Sequence, residues 1–289
     1  MHLSPSSLFN HVVNECSPVF PVECVLEQGS GSLNEDVLLR DGNMFGVFDG
    51  ATSLNRETFA NGSTGGLLAA ESAALAFRRN GAPLLNLAAR ANQSIKEAME
   101  EMEVALHHKS DIWSTSAAVV RLHDDHFEWC QIGDCQVLVL YRDGSHRLLT
   151  ECAGHDVETL CLWKRMTPKN GDRISEVLAD QILRVRQEMN IHYGVFNGEE
   201  AGMHFVNNGR EALEGISDIL LYTDGLALPR SDPEEGEDLA AFAGLYRKGG
   251  LQAIRDLVRR VQREDPACHT YPRFKKHDDI GAIAIPVSR

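Results

Sequence analysis

"SLNEDVLLRDGNMFGVFDGA", Ser32 to Ala51, contains two short apolar runs, Asp36 to Leu39 and Met44 to Phe48, joined by Asp41-Gly42-Asn43. Asp-Gly-Asn between apolar runs is turn chemistry, so the stretch predicts a β-hairpin. Carboxylates stand at its open end: Glu35 and Asp36 enter the first strand, and Asp49 leaves the second just before Gly50. Nothing in the second run can neutralise Asp49, and an ionised carboxylate against apolar neighbours is costly to desolvate. The hairpin thus raises a question of charge as well as of fold.

Three further segments repeat the pattern. "CQIGDCQV" puts Asp134 in a tight break between two strands, "LLYTDGL" ends an apolar strand at Asp224, and "KKHDDIGAIAI" sets Asp278 and Asp279 before another. Taken singly, an Asp-Gly after a strand is a turn. Should all these sites converge, several carboxylates in one pocket cannot all stay ionised unless cations compensate them. Oxygen-rich clusters suit Mg²⁺ or Mn²⁺, whereas zinc prefers His and Cys at short spacing. His123 and His126 come nearest to such a pair, but they flank Asp124-Asp125 in an expected hairpin turn and are read as turn residues.

The chain of 289 residues carries 28 Lys and Arg against 42 Asp and Glu, a formal charge of −14. That balance repels nucleic acid and anionic membranes at long range, so neither is an expected partner. Seven cysteines without a C-x-x-C pair fit reduced thiols and point to the cytoplasm. No apolar stretch is long enough to span a bilayer, and "MHLSPSSLFNHVV" lacks the layout of a signal peptide. G-x-S-x-G and P-loop motifs are also absent, which removes the usual sequence support for a serine nucleophile or a nucleoside triphosphate cradle.

Further strands are expected at Phe20 to Leu26, Ser116 to Leu122, His126 to Ile132, Gln136 to Tyr141, His146 to Leu149, Asp218 to Thr223 and Ile280 to Val287. The short connections from Ser116 to Leu149 predict antiparallel neighbours. Helical spacing covers Ser63 to Asn80, Pro83 to His108, Asp172 to Asn190, and two segments near Leu239 to Arg247 and Gly250 to Arg263. Strands and helices come in blocks instead of alternating singly, which argues for α+β layers.

The ordered series N-E-D, V-F-D-G, S-T-S-A, I-G-D, L-Y-T-D-G-L and H-D-D-I, from about Glu23 to Val287, resembles the metal-dependent serine/threonine protein phosphatases of type 2C, the PPM family. The resemblance implies one domain over residues 1–289, folded as a four-layer αββα sandwich of two antiparallel β-sheets flanked by helices. It also implies a binuclear Mg²⁺ or Mn²⁺ centre, with a weaker third ion, and a substrate that is a phosphorylated protein. By the same resemblance Asp49 bridges two ions, Glu35 and the Gly50 carbonyl complete one shell, and Asp224 and Asp278 serve the other. Asp134 joins Asp224 at the third ion, and Asp36 orients the attacking water. Asp279 stands where many relatives carry Asn and is read as supporting the ligands.

Two positions depart from the family pattern. Gly31 replaces the arginine that clamps the substrate phosphate in many members, which leaves Arg56, Arg273 and the adjoining Lys275 and Lys276 as candidates. Ala51 replaces a histidine proposed as general acid in some relatives. The stretch 150–205 stands where the family carries a variable flap; it includes His155, read as a loop residue, and Arg186, Asn190 and Tyr193-Gly194, read as ordering the insert. Two alternatives stay open: a phosphatase of small phosphomonoester metabolites, and a non-catalytic adaptor that binds a phosphorylated protein. Retention of every metal-type carboxylate argues against the adaptor.

Overall fold

The computed structural model describes residues 12–14, 22–51, 58–59, 62–78, 81–150, 154–167 and 171–287. The predicted hairpin is present as β3 (Asp36–Asp41) and β4 (Met44–Gly50), turning at Gly42 with φ of 58°. Positive φ is easily reached only without a Cβ, which is why this turn tolerates glycine best. With β1 (Val12–Asn14), β5 (Thr115–Leu122), β6 (His126–Ile132) and β9 (Asn207–Ala212) they form a six-stranded sheet ordered β1-β3-β4-β5-β6-β9. The second sheet runs β2-β11-β10-β7-β8, from β2 (Glu23–Glu27), β7 (Gln136–Tyr141), β8 (His146–Leu148), β10 (Ile216–Tyr222) and β11 (Ile280–Pro286).

Alternation along the strands sorts side chains into three apolar layers. Leu38, Phe45, Val47, Ala118 and Val120 face Val137, Val139, Ile219, Leu221 and Ile283 between the sheets. Their neighbours Val37, Leu39, Met44, Phe48 and Val119 point the other way, against α1 (Gly65–Phe77) and α2 (Leu84–Glu101). On the far side Leu138, Leu220, Tyr222 and Ala282 pack on α6 (Leu239–Glu264) through Phe242, Leu251, Ile254 and Val258. A period of two, with both faces covered, yields four layers: helix, sheet, sheet, helix. The α+β sandwich read from the sequence is the fold observed.

Details differ from the sequence reading in ways that have physical causes. The chain crosses from one sheet to the other at Gly133-Asp134-Cys135, so β6 and β7 are consecutive but unpaired. The short edge strand β1, not expected, runs parallel to β3, whereas the other pairings among the described strands are antiparallel. α2 stops at Glu101 instead of reaching His108, because Glu103 turns left-handed at φ 57°. The helix expected over Asp172 to Asn190 is split at Leu178 into α4 (Ile174–Val177) and α5 (Ala179–Gln187), and a further helix, α3 (Val157–Arg165), precedes it. The two helical segments anticipated after Leu239 meet at Gly249 and Gly250, whose backbone is non-helical and breaks α6. No helix among the described residues is long and apolar enough to cross a membrane.

One backbone contact ties the second sheet together at the end where the carboxylates lie. Gly225, in the 3-10 turn after β10, packs so closely on the Asp279 carbonyl that any Cβ would overlap it. Gly225→Ala is therefore expected to cost about 1–3 kcal/mol, as overpacking does. Thermal unfolding followed by circular dichroism should show a Tm lower by roughly 3–10 °C; an unchanged Tm would mean that this approach is not tight in solution.

Candidate active site

Strand register sets the cluster. β3 and β4 pair so that Asp36 lies directly opposite Asp49. Both have the parity of Leu38, Phe45 and Val47, so they face into the space between the sheets, at its end. From the other sheet, β10 and β11 pair with Tyr222 opposite Ala282, which brings Asp224, just past β10, to Asp278 and Asp279, just before β11. Asp134 sits in the crossover between sheets. A cavity of about 330 Å³ is lined by Asp49, Gly50, Asp134, Asp224 and Asp278.

Hydrogen bonds fix the surroundings. The Gly50 amide donates to the Glu35 carbonyl at 3.1 Å, the Ala51 amide to the Ser114 carbonyl at 3.0 Å, and Thr115 Oγ1 to the Asp49 carbonyl at 2.8 Å. A side chain at Gly50 would strike the Gly66 backbone, so glycine lets the start of α1 close on this turn. Thr64, the N-cap of α1, donates its hydroxyl to Glu35 Oε1 at 2.6 Å and accepts from the Leu67 amide at 3.3 Å. Thr223 links the two sheets by donating to Asp36 Oδ2 at 2.7 Å while accepting from the Gly281 amide at 3.0 Å. Asp279 receives the main-chain amides of Gly29 at 2.6 Å and Glu35 at 3.0 Å.

Electrostatics reports the convergence most directly. Burial pushes the Asp49 carboxyl well above the usual range, and the charges of Asp36, Asp224, Asp134 and Asp278 push it further. Asp224, although exposed at its surface, is raised by the protein packed around it and then by the charges of Asp278, Asp134 and Asp36. Asp36 is raised by burial, against the Thr223 hydrogen bond, with Asp279 and Asp278 adding to the rise. Lys275 is the cation drawn in: Nζ donates to Asp278 Oδ1 at 2.8 Å. Burial disfavours its charge, but Asp278, Asp279 and Asp49 outweigh that and hold its pKa above the ordinary lysine value.

These residues suit hard divalent cations. The donors are carboxylates and a glycine carbonyl, and like charges crowded into one cavity favour a divalent counter-ion. Among the described residues, no three His, Cys, Asp or Glu side chains stand as a finished ligand set. Glu35 is turned to Thr64, Asp36 to Thr223 and Asp278 to Lys275, as expected when like charges each take the nearest donor.

The remaining sequence candidates fall in different places. His123 and His126 stack at 4.3 Å at the β5–β6 turn, the opposite end of those strands from Ser116 and Ile132, bonded to Glu128 and Asp125. Arg273, expected at the phosphate, uses Nε, Nη1 and Nη2 within its own loop, on the Lys276, Tyr271 and Gln262 carbonyls and, at 2.8 Å, on Asp265 Oδ2. These bonds hold the guanidinium in loop structure, while the side chain also lines a cavity with Asp134, Asp224 and Asp278. Arg56 lies outside the described residues. His155 lines the cavity and stacks on Tyr193 at 4.0 Å. Sequence reading missed Thr64, Thr223 and Asp156. A threonine before "GGLLAA" is an N-cap signal that could have marked the first; Asp156, whose carboxyl is raised by burial, had no comparable sign.

Carboxylates from both sheets are thus gathered at one end of an αββα sandwich, around one cavity. A sequence model described as protein phosphatase 2C matches residues 27–265. The chain belongs to that family, and is a metal-dependent serine/threonine protein phosphatase. Its fold is similar to the serine/threonine phosphatase PstP/Ppp of Mycobacterium tuberculosis, with a TM-score of 0.59 at 16% identity over 94% of this chain and 100% of that one. The catalytic domain of PstP in complex with two manganese ions gives 0.57 at 14% identity, over 93% and 99%. Stp1 of Staphylococcus aureus gives 0.58 at 14%, over 96% and 98%. No curated protein matches the sequence significantly.

Clustered negative charge has a consequence for stability. Carboxyls with raised native pKa keep protons that the unfolded chain releases above about pH 4, so ion-free stability falls as pH rises through that window. In chelator at pH 7.5, Asp49→Asn should therefore raise Tm by about 3–6 °C and abolish the gain that Mn²⁺ gives the parent. A lower Tm for the ion-free variant would show that Asp49 is already compensated.

Proposed function

We propose that the chain removes phosphate from phosphoserine and phosphothreonine in proteins at the carboxylate cluster, with Mg²⁺ or Mn²⁺. Glu35, Asp49 and the Gly50 carbonyl would hold one ion, Asp49, Asp224 and Asp278 the other, and Asp134 with Asp224 a weaker third. The observation that carries this reading is geometric: Asp49, Gly50, Asp134, Asp224 and Asp278 line one cavity, and Asp36 lies directly opposite Asp49. Bound there, divalent cations supply a water of lowered pKa and offset charge growing on the phosphoryl oxygens.

The protein's own groups do the rest. Asp36, fixed through Oδ2 by Thr223, orients the attacking water. Asp279 holds the Glu35 and Gly29 main chain and so fixes the entry to β3. Lys275 balances Asp278 and stands at the cavity edge, where it can meet an anionic substrate. Ala51 lines the cavity without an acid group, so the proton for the leaving alkoxide would come from water held at the cations. Residues 1–289 act as one catalytic unit in this reading, with the insert at about 150–205 bordering the cavity through His155, Arg186 and Tyr193, and the enzyme works in the cytoplasm.

Hydrolysis of p-nitrophenyl phosphate and of a phosphothreonine peptide should require Mn²⁺ or Mg²⁺ and cease in chelator. Asp49→Asn and Asp224→Asn should each lower kcat by more than about 100-fold. Full turnover in chelator would defeat the metal mechanism; hydrolysis of small esters without the peptide would move the substrate class to metabolites.

A further inference from the structure

A phosphate dianion entering a pocket of carboxylates needs a positive, directional partner. Gly31 supplies none at the N-E-D stretch, the Arg273 guanidinium is held in its loop, and Lys275 brings a non-planar ammonium already paired with Asp278. The insert brings a guanidinium to the same cavity. Arg186 lies in the last turn of α5, and its Nη1 donates to Ser114 Oγ at 3.2 Å. Ser114 is buried, and its carbonyl accepts from the Ala51 amide, the residue that follows Asp49-Gly50. The guanidinium thus stands beside the turn that presents Asp49, and it lines the same cavity as Asp49, Asp134, Asp224 and Asp278.

This placement is built in. Directly after α5 the chain reverses at Asn190, which adopts φ of 57° and is buried. Its Oδ1 accepts from the Val195 amide at 2.9 Å, and its Nδ2 donates to Asn197 Oδ1 at 2.7 Å and to Glu199 Oε2 at 3.2 Å. The chain then joins the first sheet, where Phe196 and Thr115 exchange amide bonds of 2.9 and 3.0 Å. Thr115 is the first residue of β5 and the neighbour of Ser114. The end of α5 is therefore fastened to the strand that flanks Asp49, and the arginine is held in place before any substrate arrives, which lowers the ordering cost of binding.

We propose that Arg186 is the phosphate-binding residue of this site, a cation delivered by the insert in place of the one missing at Gly31. A planar guanidinium presents paired N–H donors that match two phosphoryl oxygens, which an ammonium does not. The proposal rests on the phosphatase reading, but its test need not. With Mn²⁺ present, inorganic phosphate is titrated by calorimetry into the parent, Arg186→Ala, Arg186→Lys and, as a control on the exposed face of the same helix, Arg184→Ala. KM and kcat for p-nitrophenyl phosphate are measured on the same four proteins.

The expected result is phosphate affinity weakened about 10- to 100-fold in Arg186→Ala, partly restored in Arg186→Lys and unchanged in Arg184→Ala, with KM rising and Mn²⁺ affinity retained. Phosphate affinity and KM within about twofold of the parent in Arg186→Ala, a change too small for loss of a charged hydrogen bond, would overturn the assignment. Should Arg186→Ala fail to fold, the loss must appear in Arg186→Lys, and an unaltered affinity there overturns it equally. If the parent binds phosphate but hydrolyses no ester, the catalytic reading fails while the Arg186 assignment is still decided by the titration. If the parent binds no phosphate, the assignment falls.

Discussion

Charge repulsion among carboxylates crowded at one end of the sandwich is the constraint on which the rest of the molecule depends. Two like charges about 4 Å apart repel by roughly 4 kcal/mol at an effective dielectric near 20. A typical domain has only about 5–15 kcal/mol of net stability, so several such pairs cannot be left uncompensated. Asp36, Asp49 and Asp224 respond by holding protons more tightly, and Asp278 by taking Lys275. Divalent cations bound at the cluster would remove the conflict directly, making it costly to the empty protein and useful to the loaded one.

The scaffold keeps these charges together against their repulsion. Three apolar layers press the two sheets and their helices into one stack. At the acidic end, short polar links do the local work: Thr223 between Asp36 and the Gly281 amide, Asp279 on the amides that precede β3, and Thr64 between Glu35 and the start of α1. Glycines 50 and 225 permit the backbone approaches that side chains would block. Neutral donors thus hold the carboxylates in place without cancelling their charge.

Much of this was legible in the sequence because strands advertise themselves by period and turn. The Asp41-Gly42-Asn43 hairpin, the apolar run into Asp224 and the run out of Asp278 appear where their residues put them. The short connection at Asp134 was legible as a turn, but not as a change of sheet, since strand pairing depends on layers that a local pattern does not encode. Arg273 looked available by sequence because its acceptors, main-chain carbonyls and Asp265, are defined only by the folded loop. Arg186 was read as ordering the insert against the sheet, and it does bond Ser114, but its place beside the Asp49 turn comes from the reversal at Asn190 and the return at Phe196, both tertiary events.

The central claim is that acidic groups from distant parts of the chain enclose a pair of cations. Anomalous scattering at the manganese edge from a crystal soaked in Mn²⁺ tests it most directly. The account predicts two peaks about 3.5–4 Å apart, with Asp49 between them, Glu35 and the Gly50 carbonyl on one and Asp224 and Asp278 on the other. Manganese bound elsewhere, or absent from this end of the sandwich at saturating concentration, would contradict it.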